Sequence, residues 1–213
     1  AHSDLVQAAG KITIDVQGWG VHTAALSAHK LGGPQGVGAL WIHPDIQLPA
    51  LIAGGGQEGG ARGGTENVAG IVGFGEAARL ALASLQAERE RLAALRDRLQ
   101  RRLLSEIPMA VLIGPADARL PNTLSFAARG ARGEAVVMRL DADGVAASTG
   151  SACSTGSGKP SHVLVAMGLP KWQVQGAVRL SLGWSTRAAD LELAADKVVA
   201  AVRALQRVSG TGQ

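Results

Sequence analysis

The spacing of apolar residues changes twice along the chain, and it divides the sequence into three parts. In the first third, short apolar runs alternate with glycine turns. The runs "KITIDV" (11–16) and "VGALWI" (37–42) are rich in aliphatic residues and bounded by turn residues, which predicts buried strands. Glycine-rich loops lie at 31–36 and 53–67. We expect this part to contribute strands of a sheet together with the loops at its edge.

The middle of the chain has the period of a long amphipathic helix. The helical pattern starts at about Val68 and continues to about residue 107. One face carries the leucines, and the opposite face is charged. The leucines of that face are Leu85, Leu92, Leu95, Leu99 and Leu103.

After Pro108 the pattern returns to strands mixed with shorter helices. Strands are predicted at 110–114, 122–127 and 177–183, and a helix at 133–142 with Gly144 at its C-terminal end. A last helix is predicted from Thr186, with that residue as its N-cap. The chain is therefore predicted to be α/β, with one domain over 1–84 and a second over 85–213, joined by the long helix.

Composition restricts the class of protein. The chain has 213 residues, of which 46% are hydrophobic, and this is enough for a proper core. Aromatic residues make up 3%, with no tyrosine, and the net charge of +4 comes from scattered arginines, so we predict no nucleic-acid partner. A single cysteine excludes an intramolecular disulfide and fits a reducing compartment. With no uninterrupted apolar run of bilayer length and no signal-peptide pattern, we predict a cytoplasmic location and no membrane partner.

The stretch "SAHKLGGPQG" places Lys30 at the start of a glycine loop. Such a lysine is ordinarily a solvated surface charge. The alternative is a lysine that forms a Schiff base, because a neutral amine near a cationic ring or in a dry pocket attacks aldehydes readily. Ser27 and His29 flank it, and both are able to bind an anion.

Asp4 and Gln7 in "HSDLVQ" are three residues apart, so on a helical turn they share one face. One interpretation is an N-cap aspartate beside an exposed glutamine. The other is a pair that holds a heteroaromatic cofactor, with the carboxylate keeping a pyridine nitrogen protonated and the amide bonding the neighbouring ring oxygen.

Two further positions have charge or hydroxyl groups in unusual places. Thr65 ends the loop "GGGQEGGARGGTEN" where a helix is predicted to start, which is typical either of an N-cap or of an anion site. Arg179 stands inside the apolar strand "VRLSLG", where its planar guanidinium would need an anionic partner such as a substrate carboxylate.

Cys153, the single cysteine, lies in "STGSACSTGSGKPSHVL", among glycine, serine and threonine. Free cysteines are usually buried, so a thiol in a loop of small residues indicates a function that requires movement or access. The alternative is an idle cysteine on a surface loop.

Five stretches, in this order, closely resemble the cysteine desulfurases of the NifS/IscS type. The stretches are "HSDLVQAAGK", "SAHKLGGPQGVGALWI", "GGGQEGGARGGTEN", "STGSACSTGSGKPSHVL" and "VRLSLGWST". These enzymes form part of class V of the pyridoxal-phosphate-dependent aminotransferase superfamily, and the cysteine loop resembles that of their group I. The resemblance implies fold type I, the aspartate-aminotransferase-like fold, and covers only the C-terminal half of such an enzyme: part of the large domain plus the small domain.

The resemblance also implies a role for each singled-out residue. Lys30 would carry pyridoxal 5′-phosphate, Asp4 would face the pyridine nitrogen and Gln7 the ring hydroxyl. Ser27 and His29 would bind the phosphate, and Thr65 would reach the phosphate of the other subunit in a homodimer. Arg179 would hold the carboxylate of L-cysteine. Cys153 would take the sulfur as a persulfide and pass it to an iron–sulfur scaffold or another acceptor protein, with a transient iron–sulfur contact conceivable through that sulfur.

The sequence departs from the family in several places, and alternatives remain open. His22 stands where an aspartate is usual, and Gly59 where an arginine is frequent. Family members are roughly twice as long, and the part not seen here supplies the residue that stacks on the cofactor ring, so we expect activity to need the N-terminal half. The alternatives are another class V enzyme, such as a selenocysteine lyase or a transaminase, and a catalytically silent module for dimerisation or scaffold docking.

Overall fold

The computed structural model describes residues 1–150 and 160–210 and divides the chain into two compact units. The first unit comprises Ala1–Glu88 and the second Arg89–Gln213. The division falls within one long helix, as does the boundary predicted between residues 84 and 85. Each unit contains its own three-stranded sheet.

The sheet of the first unit has the order β1–β2–β3. Strand β1 is His2–Asp4, β2 is Thr23–Ser27 and β3 is Gly38–Ile42. β1 runs parallel to β2 with Asp4 opposite Ala25, and β3 runs antiparallel to β2 with Gly38 opposite Ser27. The predicted strand at 37–42 is thereby confirmed.

The predicted strand at 11–16 is wrong, and the two strands β1 and β2 were not predicted. After β1 the chain turns helically, because the amides of Lys11 and Ile12 both donate to the carbonyl of Ala8. No strand is assigned at 13–15, which pairs with no other strand of the described residues. The alternating pattern of "KITIDV" arises because several of these residues are half-buried although they form no strand. The strands β1 and β2 are short and end in polar residues, so their apolar pattern is too weak to predict a strand.

Helix α1 is Val68–Glu106, a single helix of 39 residues as the periodicity predicts. The side chain of Asn67 accepts a hydrogen bond from the amide of Gly70 at 3.1 Å and caps its start. By length and composition alone α1 could cross a membrane: a stretch of 18 residues has a mean hydropathy of 1.5, and 11% of that stretch is buried. The apolar part of α1 contains Glu76 and Arg79, whose side chains form an ion pair of 2.7 Å. Because these two charges interrupt it, it is not the uninterrupted apolar run that the sequence analysis looked for.

The sheet of the second unit has the order β4–β5–β6, with all neighbours antiparallel. Its elements follow the predicted pattern closely, with both predicted helices present and each predicted strand shortened or shifted by a few residues. They are β4 Ala110–Leu112, β5 Thr123–Ala128, α2 Gly133–Ala142, α3 His162–Ala166, α4 Lys171–Gly176, β6 Ala177–Ser181 and α5 Ala188–Val208.

One continuous core holds the second unit together. Leu92, Leu99 and Leu103 on the predicted face of α1 are buried in it, and Leu95 packs against it half-buried. Leu85 lies in the first unit and is half-buried there. Facing them are Phe126 of β5, Leu140 of α2 and the buried stripe of α5. The core explains the leucine period of this part of α1, since each leucine buried there removes apolar area from water.

The ends of the helices differ from the prediction in one place. Gly144 follows α2 with φ +77°, as expected for a residue that ends a helix in the left-handed region. Thr186 is not the N-cap of α5: its hydroxyl accepts from the amide of Gly183 at 2.9 Å. Arg187 is the N-cap instead, and its backbone amide donates to the carboxylate of Asp190 at 3.1 Å.

We expect Leu140→Ala to destabilise the second unit by about 2–5 kcal/mol, because it leaves a cavity in a close-packed core. The matched control in the same helix is Met138→Ala, whose side chain is 75% exposed and whose loss should change stability by no more than about 0.5 kcal/mol. Urea unfolding of both variants measures the difference. Equal free energies of unfolding would contradict this description of the core.

Candidate active site

The candidate site in the first unit lies at the carboxyl edge that β1 and β2 share. Asp4 is the last residue of β1, and Ser27 is the last residue of the parallel strand β2. Parallel strands end at the same edge of a sheet, where α/β proteins bind their ligands. The topology therefore brings Asp4 to the same edge as Ser27, His29 and Lys30, although more than twenty residues separate the two groups in sequence.

Asp4 and Gln7 do not share a helical face, as one interpretation of the sequence had it. Asp4 belongs to a strand, and its Oδ1 accepts a hydrogen bond from the amide of Val6 at 2.9 Å. Gln7 follows in a turn, and both side chains are exposed. The bond to Val6 fixes the Asp4 carboxylate at the end of its strand and leaves its second oxygen for a ligand.

Lys30 lies in a tight 3₁₀ turn, Ala28–Leu31, directly after β2. The turn ends at Gly32, whose φ of +84° favours glycine, and the amide of Gly33 returns to the carbonyl of Ala28 at 2.9 Å. Lys30 is exposed, and within the described residues its amine has no ion pair or hydrogen bond. The turn thus presents a primary amine that no protein group occupies.

Ser27 and His29 form a pair at the start of this turn. The Ser27 hydroxyl and His29 Nδ1 lie 2.7 Å apart, which is hydrogen-bonding distance. The imidazole is exposed, so its other nitrogen remains available. Together the two side chains can bind an anion beside Lys30, as the sequence suggested.

Lys11 is a charged neighbour that the sequence analysis missed. Burial lowers the pKa of Lys11, and the positive charge of Lys30 lowers it further. The closeness has a structural basis, since a Cβ at Gly10 would lie 2.6 Å from Leu31 Cδ2. Nothing in the periodicity marks Lys11, because it meets Lys30 only through the packing of two turns.

Thr65 belongs to a different loop from these residues. It is exposed in the loop before α1, and it is not the N-cap, a role that Asn67 fills. Within the described residues it makes no hydrogen bond with the predicted residues at the edge of β1 and β2. The loop itself is held by the backbone, with the amide of Gly63 bonded to the carbonyl of Ile52 at 2.8 Å.

Arg179 belongs to the second unit and lies at the centre of β6. Its neighbours Val178 and Leu180 are buried, while Arg179 alternates to the other face and is half-buried. Its backbone forms a bridge with Ser148, with the Arg179 amide bonded to the Ser148 carbonyl at 2.6 Å. Among the described residues its guanidinium has no acidic partner, which agrees with a role for an external carboxylate.

Cys153 lies outside the described residues, but the chain on both sides of its segment is described. Ser148, bridged to Arg179, bonds through its hydroxyl to the carbonyl of Gly150 at 3.0 Å. A Cβ at Gly150 would lie 3.6 Å from Ser161 Cβ, so the two flanks of residues 151–159 meet. The segment that bears the cysteine therefore starts and ends close to the strand that bears Arg179.

A second residue that the sequence analysis missed is Arg91. Its guanidinium donates to the carbonyls of Thr186 at 2.7 Å and of Gly183 and Trp184 at 3.2 Å each. These carbonyls belong to the loop that follows β6, and the Trp184 side chain above them is 81% exposed. No sequence signal distinguishes Arg91 from the other arginines of α1, because its partners are backbone atoms about ninety residues away.

Metal chemistry has no support among residues 1–150 and 160–210. No group of three or more histidine, cysteine, aspartate or glutamate side chains in those ranges could hold a metal ion. The iron–sulfur contact suggested for Cys153 concerns a residue outside the ranges.

Comparison with known proteins gives consistent matches. The family model of class V aminotransferases matches residues 1–193. A cysteine desulfurase, IscS, of Clostridium botulinum is 46% identical over 193 residues, which is 90% of this chain and 49% of that protein. The chain thus spans about half the length of the curated relatives it matches.

Solved structures agree with the sequence matches. A NifS-like protein superposes with a TM-score of 0.83 at 36% identity, covering 93% of this chain and 51% of that one. The structure of SspA in complex with cysteine superposes with a TM-score of 0.63 at 30% identity, covering 85% and 49%. The fold is accordingly that of the pyridoxal-phosphate-dependent transferases of fold type I.

We expect Arg91→Met to lower the free energy of unfolding by about 1.5–3 kcal/mol and to accelerate amide hydrogen exchange around residues 183–186, because charge-assisted bonds to three carbonyls are lost. The control is Arg98→Met on the same helix, whose exposed ion pair with Glu192 is worth no more than about 1 kcal/mol. Unchanged exchange at 183–186 in Arg91→Met would contradict the role of Arg91 in holding this loop.

Proposed function

Because the chain belongs to the class V aminotransferase family, we propose that it provides part of the active site of a cysteine desulfurase, which converts L-cysteine to L-alanine and passes the sulfur on as a persulfide. The proposal applies to the whole enzyme, of which relatives have about twice this length. One observation carries it: a single sheet edge holds the carboxylate of Asp4, the Ser27–His29 pair and the unoccupied amine of Lys30.

The groups at this edge fit pyridoxal phosphate, the cofactor of the family. The cofactor needs an amine for its aldehyde, a carboxylate for its pyridine nitrogen and donors for its phosphate. Lys30 supplies the amine, Asp4 has a carboxylate oxygen left, and Ser27 and His29 are spaced to bind an anion. Gln7, exposed in the turn after β1, is the group for the ring hydroxyl. When bound, the cofactor supplies an electron sink that stabilises negative charge at the α-carbon of the substrate.

The residues of the first unit then have defined tasks. Lys30 would hold the cofactor through its amine. Asp4, fixed at the end of β1 by the Val6 amide, would face the pyridine nitrogen with its carboxylate. Ser27 and His29 would hold the phosphate and so keep the ring in place.

The second unit supplies the group that recognises substrate and the group that accepts sulfur. Arg179 binds the substrate carboxylate with its unpaired guanidinium. The thiolate of Cys153 attacks the substrate sulfur, so that an S–S bond forms and the C–S bond breaks. The three-carbon fragment keeps the electron pair of that bond, takes up a proton and leaves as alanine. The known complex of a relative with cysteine supports this choice of substrate.

The cellular role belongs to the same proposal. The persulfide on Cys153 goes to an acceptor, of which an iron–sulfur scaffold protein is the first candidate, with a transient iron–sulfur contact at that sulfur. The enzyme acts as a cytoplasmic homodimer, in which the exposed Thr65 reaches the phosphate of the other subunit. Its exposure and its lack of bonds to the Lys30 group support this assignment.

Reduction of the purified protein with borohydride should fix the cofactor on Lys30, since a Schiff base becomes a stable amine. Intact mass spectrometry should show the added pyridoxyl phosphate in the native protein and in Lys171→Ala, which removes an exposed lysine of the second unit. Lys30→Ala should show none. An adduct that persists in Lys30→Ala, or its absence from the native protein, would contradict the assignment.

Cys153→Ser should retain the cofactor but lose alanine production from cysteine by at least about a hundredfold, because the serine hydroxyl does not attack sulfur at neutral pH. The assay follows alanine by chromatography in the presence of a reducing acceptor. Ser148→Ala, which leaves the thiol in place, is the control. Undiminished alanine release in Cys153→Ser would indicate a different class V reaction that needs no protein thiol.

A further inference from the structure

A groove of about 370 Å³ opens on the second unit, away from every residue assigned above. It lies where the last residue of α1, the last turn of α2 and the C-terminal half of α5 come together. Its lining is Glu106, Arg139, Asp196, Val199, Ala200, Arg203, Ala204 and Arg207. The lining combines small apolar residues with charged groups at the rim.

The two acids of the groove both bind one arginine beside it. Arg102 binds the Glu106 carboxylate at 2.7 Å and also pairs with Asp196. A further bond of Arg102 to Glu192, at 2.9 Å, fixes its guanidinium in this position. Both carboxylates of the groove therefore already have an ion-pair partner within the protein.

The three arginines of the groove form no ion pair with an acid among the described residues. Arg203 donates to the backbone carbonyl of Glu106 at 2.6 and 3.0 Å, which satisfies the end of α1. Within the described residues the guanidiniums of Arg139 and Arg207 have no hydrogen bond or ion pair. Both stand in the last turn of their helices, where the helix dipole favours a cation, but neither donates to a carbonyl there.

We propose that this groove binds an acidic segment of a partner protein. Arg203 and Arg207 are one helical turn apart on α5, and Arg139 faces the groove from α2, so several carboxylates of one segment can be bound together. Val199, Ala200 and Ala204 provide an apolar floor for the methylene groups of glutamate side chains. The inference does not depend on the activity proposed above.

The charge pattern favours a peptide over a nucleic acid. Glu106 and Asp196 stand in the lining among the arginines, so the positive charge of the groove is not continuous, as a row of phosphates would need. A peptide tolerates them, because its backbone amides and occasional basic side chains can face an acid. The scarcity of aromatic residues also leaves no platform on which bases could stack.

The test uses fluorescence anisotropy of a short fluorescein-labelled peptide that alternates glutamate with leucine, added to the full chain at low ionic strength. We expect saturable binding, and about tenfold weaker binding to the double variant Arg139→Gln/Arg207→Gln, because two charge-assisted contacts are lost. The matched control is Arg101→Gln/Arg132→Gln, which removes the same charge from positions outside the groove and should change the affinity less than twofold. Circular dichroism confirms that both variants are folded.

Three results would overturn the inference. A control peptide has glutamine in place of each glutamate. If it binds as tightly as the acidic peptide, the groove does not recognise carboxylates. Equal weakening in both double variants would show that only net surface charge is sensed. Tighter binding of a thymidine oligonucleotide, lost in Arg139→Gln/Arg207→Gln, would assign the groove to nucleic acid instead.

Discussion

The parallel pairing of β1 with β2 is the constraint on which the candidate site depends. Asp4 and Lys30 are distant in sequence, and they share an edge only because Asp4 pairs with Ala25 and both strands end in the same direction. Register matters as much as direction, since a slip by one residue would turn Asp4 to the opposite face of the sheet. The antiparallel pairing of β3 at Gly38 then fixes the end of β2, from which the Lys30 turn departs.

The same edge shows why a site can tolerate short strands. β1 has only three residues, yet its position is held from both sides: its last residue is bound by the Val6 amide, and the amide of Leu5 continues the pairing to Ala25. Side chains that must meet a ligand are thus attached to backbone hydrogen bonds rather than to core packing.

The second unit was the easier one to predict, and the reason is physical. Each helix and strand predicted in this unit shows the regular apolar spacing of its type, and their apolar faces pack into one core. This applies to the leucine face of α1, to α2 with Gly144 at its end, and to the strands β4, β5 and β6. In the first unit the strand at 11–16 was wrongly predicted, and β1 and β2 were missed, because short strands that end in functional residues carry little apolar pattern. The roles of Lys11 and Arg91 were not predicted for a related reason. Their partners are brought near by tertiary packing, and the local sequence pattern gives no information about that packing. The site residues themselves were found through their resemblance to a family rather than through periodicity.

The meeting of Gly150 with Ser161 has a consequence for how this protein can change. Gly150 and Ser161 lie close together in the second unit, so the number of residues between them is not set by a distance that they must bridge. The entropy of closing such a connection grows only with the logarithm of its length, and a doubling costs about 0.6 kcal/mol. Insertions or deletions between these two residues should therefore leave the stability of the described part of the second unit nearly unchanged.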